Sequence, residues 1–144
     1  MLKFDKTISR EISLQGIYQH LLGVPNEDIL KLMWVEEVLG EELEYRNKKF
    51  ILQYSRKILE FYFSKYREIE GIFTKFYTKN PETISSIDKA ILLLGITMLL
   101  LGDVSHRIVI DEIVNLSKAY SSGNTVYKMV NKFMDSVAKN QSVS

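Results

Sequence analysis

The side chains best suited to acid–base or metal chemistry are few in this sequence. His20 and His106 are the only histidines, and neither has a second histidine four residues away, the spacing of a helical zinc site. The nearest approach to a ligand pair is Asp103 with His106, a common spacing in loops. We therefore interpret both histidines as solvated or locally hydrogen-bonded residues.

Nucleophilic and nucleotide-binding chemistry also lacks its usual motifs. The chain of 144 residues has no cysteine, which excludes a thiolate nucleophile and disulfides. Neither GxGxxG, nor GxxxxGK, nor GxSxG occurs. Glutamates between residues 36 and 44 could bind a divalent cation, but a solvated helix face is the ordinary explanation. We expect no enzyme activity, no cofactor and no metal site.

Charged residues are unevenly distributed along the chain. Nineteen Lys and Arg against 18 Asp and Glu give a net charge of +1, which neither requires nor excludes a nucleic-acid partner. Residues 26–44 hold seven acids and one base, whereas residues 45–79 hold nine bases and three acids. A polyanion would therefore meet separate basic patches.

The elements that must position these residues are helices, because apolar residues recur at helical spacing and no segment shows sustained alternation. We predict an all-α, single-domain bundle of about seven helices in two packed sub-bundles. The domain should span residues 1–140, with a frayed tail over 141–144. The predicted helices are 8–22, 26–39, 45–77 (as one helix or as two with a kink), 87–101, 108–120 and one from about 126.

Three helices carry more detailed expectations. Asn26 should cap the second helix, which should bury Met33. The apolar run over 90–101 is too short for a membrane span and should form the core. The many aromatic residues of 45–77 should pack between helices, in preference to forming a base-stacking platform. The charged first 23 residues do not resemble a signal peptide.

The first helix has polar side chains on its apolar face. Arg10, Glu11 and Gln15 project inside the arc that the apolar residues cover, and buried polar groups need partners. Either Gln15 bonds neighbouring backbone in a network at the helix start, or this edge is open for a ligand or partner. Periodicity does not separate these two interpretations.

Four segments, in order along the chain, match known sequence motifs. Residues 10–18 (REISLQGIY) resemble R-x-x-A-x-Q-x-L-Y, and residues 87–92 (IDKAIL) resemble I-D-x-A-I-L. Residues 110–118 (IDEIVNLSK) resemble I-N-E-A-V-E-L-A-K, and residues 130–135 (VNKFMD) resemble V-N-G-V-L-D, with Lys132 in place of the glycine. Together these segments resemble the NusB family of bacterial transcription antitermination factors.

The resemblance implies a cytoplasmic factor that pairs with the ribosomal protein NusE and binds single-stranded boxA RNA of nascent transcripts, notably from ribosomal RNA operons. It also implies a place in the RNA polymerase antitermination complex, without contact to a membrane. Such a role needs cations along phosphates and polar or aromatic groups near unstacked bases. The predicted RNA-binding residues are Lys3, Lys6, Arg10, Lys118, Tyr120 and Lys128. The predicted partner-binding residues are Tyr18 and Asp88.

Two other classes of function stay open at this stage. A similar helical domain precedes the methyltransferase domain of some RNA-modifying enzymes, but this chain has no cofactor-binding βαβ unit with which to methylate. A non-catalytic helical adaptor that binds only protein is the main alternative. A salt-dependent RNA interaction would separate it from an RNA-binding factor.

Overall fold

The chain is helical throughout the part that the computed structural model describes, which is residues 3–37, 40 and 47–141, with side chains for 5–37, 40 and 47–140. No strand occurs among these residues, so the predicted all-α class is confirmed. The helices with defined limits are α1 (Lys3–Leu21), α2 (Asn26–Leu30), α3 (Lys48–Ser64), α4 (Tyr66–Phe76), α5 (Ser86–Leu101), α6 (His106–Tyr120) and α7 (Val126–Gln141). Residues 34–37 are also helical.

Helix α1 begins at Lys3, earlier than the apolar pattern predicts. Asp5 lies in its first turn, where a carboxylate suits the positive end of the helix dipole. Two buried serines add helical hydrogen bonds: Ser9 Oγ donates to the Asp5 carbonyl and Ser13 Oγ to the Ser9 carbonyl, both at 2.8 Å. The helix ends before Gly23, whose φ of 95° only glycine adopts without strain.

The second helix is much shorter than predicted, and two of its details were wrong. Pro25, not Asn26, is the N-cap residue, and α2 ends at Leu30. Leu32 then adopts a φ of 54°, which costs a non-glycine residue about 1–2 kcal/mol. Its side chain is only 3% exposed, and burial of a leucine offsets this cost. The reversal turns Met33 outward, and Met33 is 74% exposed instead of buried.

For residues 45–77 the sequence allowed either one long helix or two, and the structure has two, α3 and α4. Asn47 caps α3 by accepting a hydrogen bond from the Phe50 amide at 3.2 Å. At Lys65 the backbone leaves helical geometry, with a φ of −110°, and α4 begins at the next residue. The aromatic residues pack as expected: the rings of Tyr62, Phe63 and Tyr66 lie 4.8–5.3 Å from the His20 ring.

Helix α5 is the centre of the core, as predicted. Ser85 caps it by accepting from the Asp88 amide at 3.2 Å, and Gly102 ends it with a left-handed φ of 71°. Every residue from Ala90 to Leu99 is buried. At Gly95 an added Cβ would overlap the sulfur of the buried Met134, so the glycine leaves room for this side chain of α7.

The helices form two groups that share α5. In one group α1 packs with α2 and α3, and both α1 and α3 contact α5. In the other group α5 packs with α6 and α7, while α4 lies against α5 and α7. This arrangement agrees with the predicted sub-bundles. The predicted tail of 141–144 lies outside the described residues, except for Gln141 at the end of α7. None of the described helices has the length and apolar character that crossing a membrane requires.

Candidate nucleic-acid interface

An open groove with a volume of about 910 Å³ lies where α1, α6 and α7 meet. It contains four of the predicted RNA-binding residues, Lys6 and Arg10 from α1, Lys118 from α6 and Lys128 from α7. Two acidic residues, Asp111 and Glu112, also line it. Cations far apart in sequence therefore gather on one surface with an excess of positive charge.

The floor of the groove is fixed by a buried ion pair. Arg10 Nη1 lies 3.4 Å from Glu112 Oε1, and the two side chains are 4% and 13% exposed. Arg10 Nε has no hydrogen-bond partner among the described residues. Arg10 thus joins α1 to α6 at the floor of the groove. The sequence had placed Arg10 inside the apolar arc of α1, and Glu112 is the partner that this position requires.

Beside the floor, Lys6 is held near an aromatic ring. Its Nζ lies 5.9 Å from the centroid of Tyr54, within cation–π range. The Tyr54 hydroxyl donates to Asp103 Oδ2 at 3.0 Å. Burial raises the pKa of Tyr54 to about 12, with the Asp103 carboxylate contributing in the same direction. Tyr54 therefore stays a neutral donor to Asp103.

The wall formed by α6 and α7 combines a cation, an aromatic ring and two amides. Lys118 Nζ lies 5.0 Å from the centroid of Tyr127. Asn115 lies one turn before Lys118, and Asn131 lies one turn after Tyr127. Lys118 and Lys128 form no ion pair with a described carboxylate. These groups can bind phosphate, stack on a base and hydrogen-bond to a base edge.

Tyr120 was the predicted aromatic RNA contact, and this role stays a prediction, whereas the aromatic residue that lines the groove is Tyr127. Tyr120 is 44% exposed at the end of α6 and does not line the groove. The signal for Tyr127 was its spacing, because Tyr127 and Asn131 are four residues apart and share a face of α7. The side chain of Lys3 is outside the described residues, so its predicted role stays a prediction.

The two predicted partner-binding residues lie elsewhere in the fold. Tyr18 is half-buried on α1 and packs against the core. Asp88 is 6% exposed and accepts hydrogen bonds from the Ser122 amide at 3.0 Å and the Ser122 hydroxyl at 2.6 Å. Asp88 thus anchors the loop between α6 and α7 to the start of α5. Contact of either residue with a protein partner stays a prediction.

The structure also shows the surroundings of three further polar features: Gln15, His20 and the acidic side chains. Gln15 Oε1 is buried without a hydrogen-bond partner among the described residues, so this oxygen does not form a bond to neighbouring backbone. His20 Nδ1 lies 2.7 Å from the Tyr62 hydroxyl, which confirms a locally hydrogen-bonded histidine. Among the described side chains, no three His, Asp or Glu form a group able to hold a metal ion. Most of the acidic segment 36–44 falls outside that part of the chain.

Comparison with known proteins agrees with the sequence motifs. The model of the NusB family matches residues 7–139. A protein of Tolumonas auensis named transcription antitermination protein NusB is 28% identical over 137 residues, covering 94% of this chain and 93% of the relative. A protein of the same name from an Azoarcus species is 29% identical over 131 residues, covering 90% of this chain and 80% of the relative. The chain therefore belongs to the NusB family.

Proposed function

We propose that this protein is a transcription antitermination factor that binds single-stranded boxA-type RNA in the groove between α1, α6 and α7. The observation that carries this proposal is the convergence of Lys6, Arg10, Lys118 and Lys128 from three helices on one surface. Family membership and the names of the relatives support the same role. The setting is the cytoplasm, where nascent transcripts such as those of ribosomal RNA operons emerge from RNA polymerase.

The groove offers the two kinds of contact that single-stranded RNA requires. Lys118 and Lys128 are exposed cations with no described carboxylate partner, so they can neutralise phosphates. Tyr127 provides an aromatic face, and Asn115 and Asn131 provide donors and acceptors for unstacked bases. Asp111 adds an acceptor that repels phosphate but can accept a hydrogen bond from a base amino group. The same groove therefore accounts for both attachment and reading of sequence.

The protein partner extends this surface. With a net charge of +1, the chain alone can neutralise few phosphates, so a second basic surface would lengthen the RNA track. The ribosomal protein NusE is the proposed partner, in a heterodimer that joins the RNA polymerase antitermination complex. Tyr18 is the residue proposed to contact it directly. Asp88 is proposed to contribute through the loop that Ser122 anchors.

A titration of labelled RNA tests the proposal. BoxA-like RNA and a scrambled RNA of equal length are each titrated with the protein, in the presence and absence of NusE. We expect weak, salt-dependent binding by the protein alone, and tighter binding with a preference for boxA when NusE is added. Binding that is equal with and without NusE would contradict the heterodimer. The absence of any salt-dependent RNA binding would favour a protein-only adaptor.

A further inference from the structure

A small cleft lies beyond the groove, between the C-terminal end of α4 and α7. Its volume is about 70 Å³, so it is far smaller than the groove and can take no more than one nucleotide base. Helix α7 lines both sites with different faces: Tyr127, Lys128 and Asn131 face the groove, whereas Lys132 and Phe133 face the cleft. The two sites therefore lie on either side of one helix.

The walls of the cleft are aromatic and rigidly supported. Phe76 and Tyr77 are half-buried there, so their rings are partly accessible. Tyr77 stacks on the fully buried Phe73, with centroids 5.1 Å apart and planes at 16°. Phe73 in turn lies 6.2 Å from the buried Phe133. These contacts hold the Tyr77 ring in place, and Lys75 Nζ lies 5.4 Å from the centroid of the neighbouring Phe76 ring.

Two lysines border the cleft. Lys79 and Lys132 are exposed, and neither forms an ion pair with a described carboxylate. Lys132 lies one helical turn after Lys128, which lines the groove. Positive charge therefore continues from the groove across α7 to the cleft. The negative end of the α4 dipole offers a structural reason for a cation at Lys79. The charge of Lys132 is therefore the stronger indication of an anionic ligand.

We propose that single-stranded RNA leaving the groove crosses α7 along Lys128 and Lys132 and places one further nucleotide in this cleft. Its phosphate would lie near Lys79 and Lys132, and its base would contact Phe76 and Tyr77. Aromatic faces bordered by cations match the base and phosphate of a nucleotide, whereas an acidic peptide needs only the cations. This inference rests on the proposed function, because it extends the RNA path beyond the groove.

Two RNAs of different length test the inference. The first is a short boxA-like RNA, and the second carries four additional nucleotides at its 5′ or its 3′ end. We expect one of the two extensions to tighten binding by the wild-type protein at least about fivefold, the lower end of the effect of one stacked base. The slope of log affinity against log salt should also steepen by about 0.7, the value for the one phosphate between Lys79 and Lys132.

Variants of the cleft separate this site from the groove. Lys79→Gln/Lys132→Gln should lose the gain from the extension while binding the short RNA like the wild type. The matched control Lys31→Gln/Lys65→Gln removes the same charge from exposed lysines that line neither site, and it should keep the gain. With 2-aminopurine in the extension, fluorescence should be quenched by the wild-type protein and recover in Phe76→Leu.

The outcomes distinguish this inference from the proposed function. If the wild-type protein binds the short RNA but gains nothing from either extension, the cleft is not an RNA site and the groove stands. A gain that persists in Lys79→Gln/Lys132→Gln would also overturn the cleft. If the cleft lysines instead bind a glutamate-rich peptide and make no difference to RNA, the cleft is a protein-binding site. Failure of the short RNA to bind would overturn both proposals.

Discussion

Arg10 on α1 and Glu112 on α6 form an ion pair at the floor of the groove, with 3.4 Å between Nη1 and Oε1. The pair connects two of the three helices that supply the groove. It therefore fixes the position of Lys6 relative to Lys118, whose helices it joins. Arg10 is therefore a positioning residue, because its side chain is 4% exposed and its Nε is buried.

Replacing Arg10 by methionine should destabilise the fold. Arg10→Met keeps most of the apolar stem but leaves the 13%-exposed Glu112 carboxylate without its partner. We expect the free energy of unfolding in urea to fall by about 3 kcal/mol, the lower end for breaking a buried pair. Arg10→Met/Glu112→Gln should recover part of this loss. A single variant as stable as the wild type would show that the pair does not hold the two helices together.

Asp88 should matter first for the loop that it anchors. Asp88→Ala removes the acceptor of two hydrogen bonds from Ser122, and we expect a loss of about 1–3 kcal/mol in denaturant unfolding. Ser122→Ala removes only the hydroxyl and should cost less. Hydrogen exchange of the loop between α6 and α7 should accelerate in both variants. Unchanged exchange in Asp88→Ala would refute the anchoring role.

Two glycines in helices should respond to alanine with opposite signs. At Gly95 a methyl group would overlap the sulfur of the buried Met134, so Gly95→Ala should destabilise the fold by about 1–3 kcal/mol. Gly71 is exposed in α4 with nothing within 4 Å of an added Cβ. Gly71→Ala should therefore stabilise the fold by about 0.5–1 kcal/mol. Thermal unfolding of the two variants measures this difference, and equal effects would contradict the close approach at Gly95.

The stability of the fold should depend on His20 in mildly acidic solution. Burial lowers the pKa of His20 from 6.5, and the Glu70 carboxylate opposes this shift only in part. In mildly acidic solution the folded state then binds fewer protons than the unfolded state. The stability that neutral, buried His20 contributes is therefore fully present above the unfolded pKa of 6.5 and is lost as pH falls toward the lowered pKa of the folded state. We expect a smaller fall in unfolding free energy between about pH 7 and 5 for His20→Gln than for wild type. His106→Gln is the control, and identical profiles for His20→Gln and wild type would exclude this contribution.

Much of the fold could be predicted because local signals agreed with tertiary packing. The apolar run of α5 lies in the sequence itself, whereas no proline or obvious cap marks the break at Lys65, so the sequence left 45–77 open between one helix and two. The end of the second helix was predicted wrongly because it depends on Leu32, whose left-handed backbone is stabilised by burial of the side chain. No sequence pattern marks a leucine for that conformation.

The sequence predicted the cations of the candidate site, but it did not predict how the helices bring them together. The motif resemblance gave Lys6, Arg10, Lys118 and Lys128, and the structure brings them together. It did not reveal that Arg10 is buried against Glu112, because the two positions are 102 apart in sequence and come together only through the packing of both α1 and α6 on α5. Tyr127 was missed because helical spacing gives relative faces and does not show which face borders the groove.

The salt dependence of RNA binding tests the central claim most directly. Lys6→Gln/Lys118→Gln/Lys128→Gln removes three groove cations, and Lys31→Gln/Lys49→Gln/Lys65→Gln removes equal charge from lysines that do not line the groove. Affinity for boxA-like RNA is measured over a range of salt concentrations for the wild type and both variants. If the groove holds RNA, the slope of log affinity against log salt should shrink by about 2 in the groove variant, at roughly 0.7 per phosphate, and stay unchanged in the control. An unchanged slope in the groove variant would contradict the assignment of this surface to RNA.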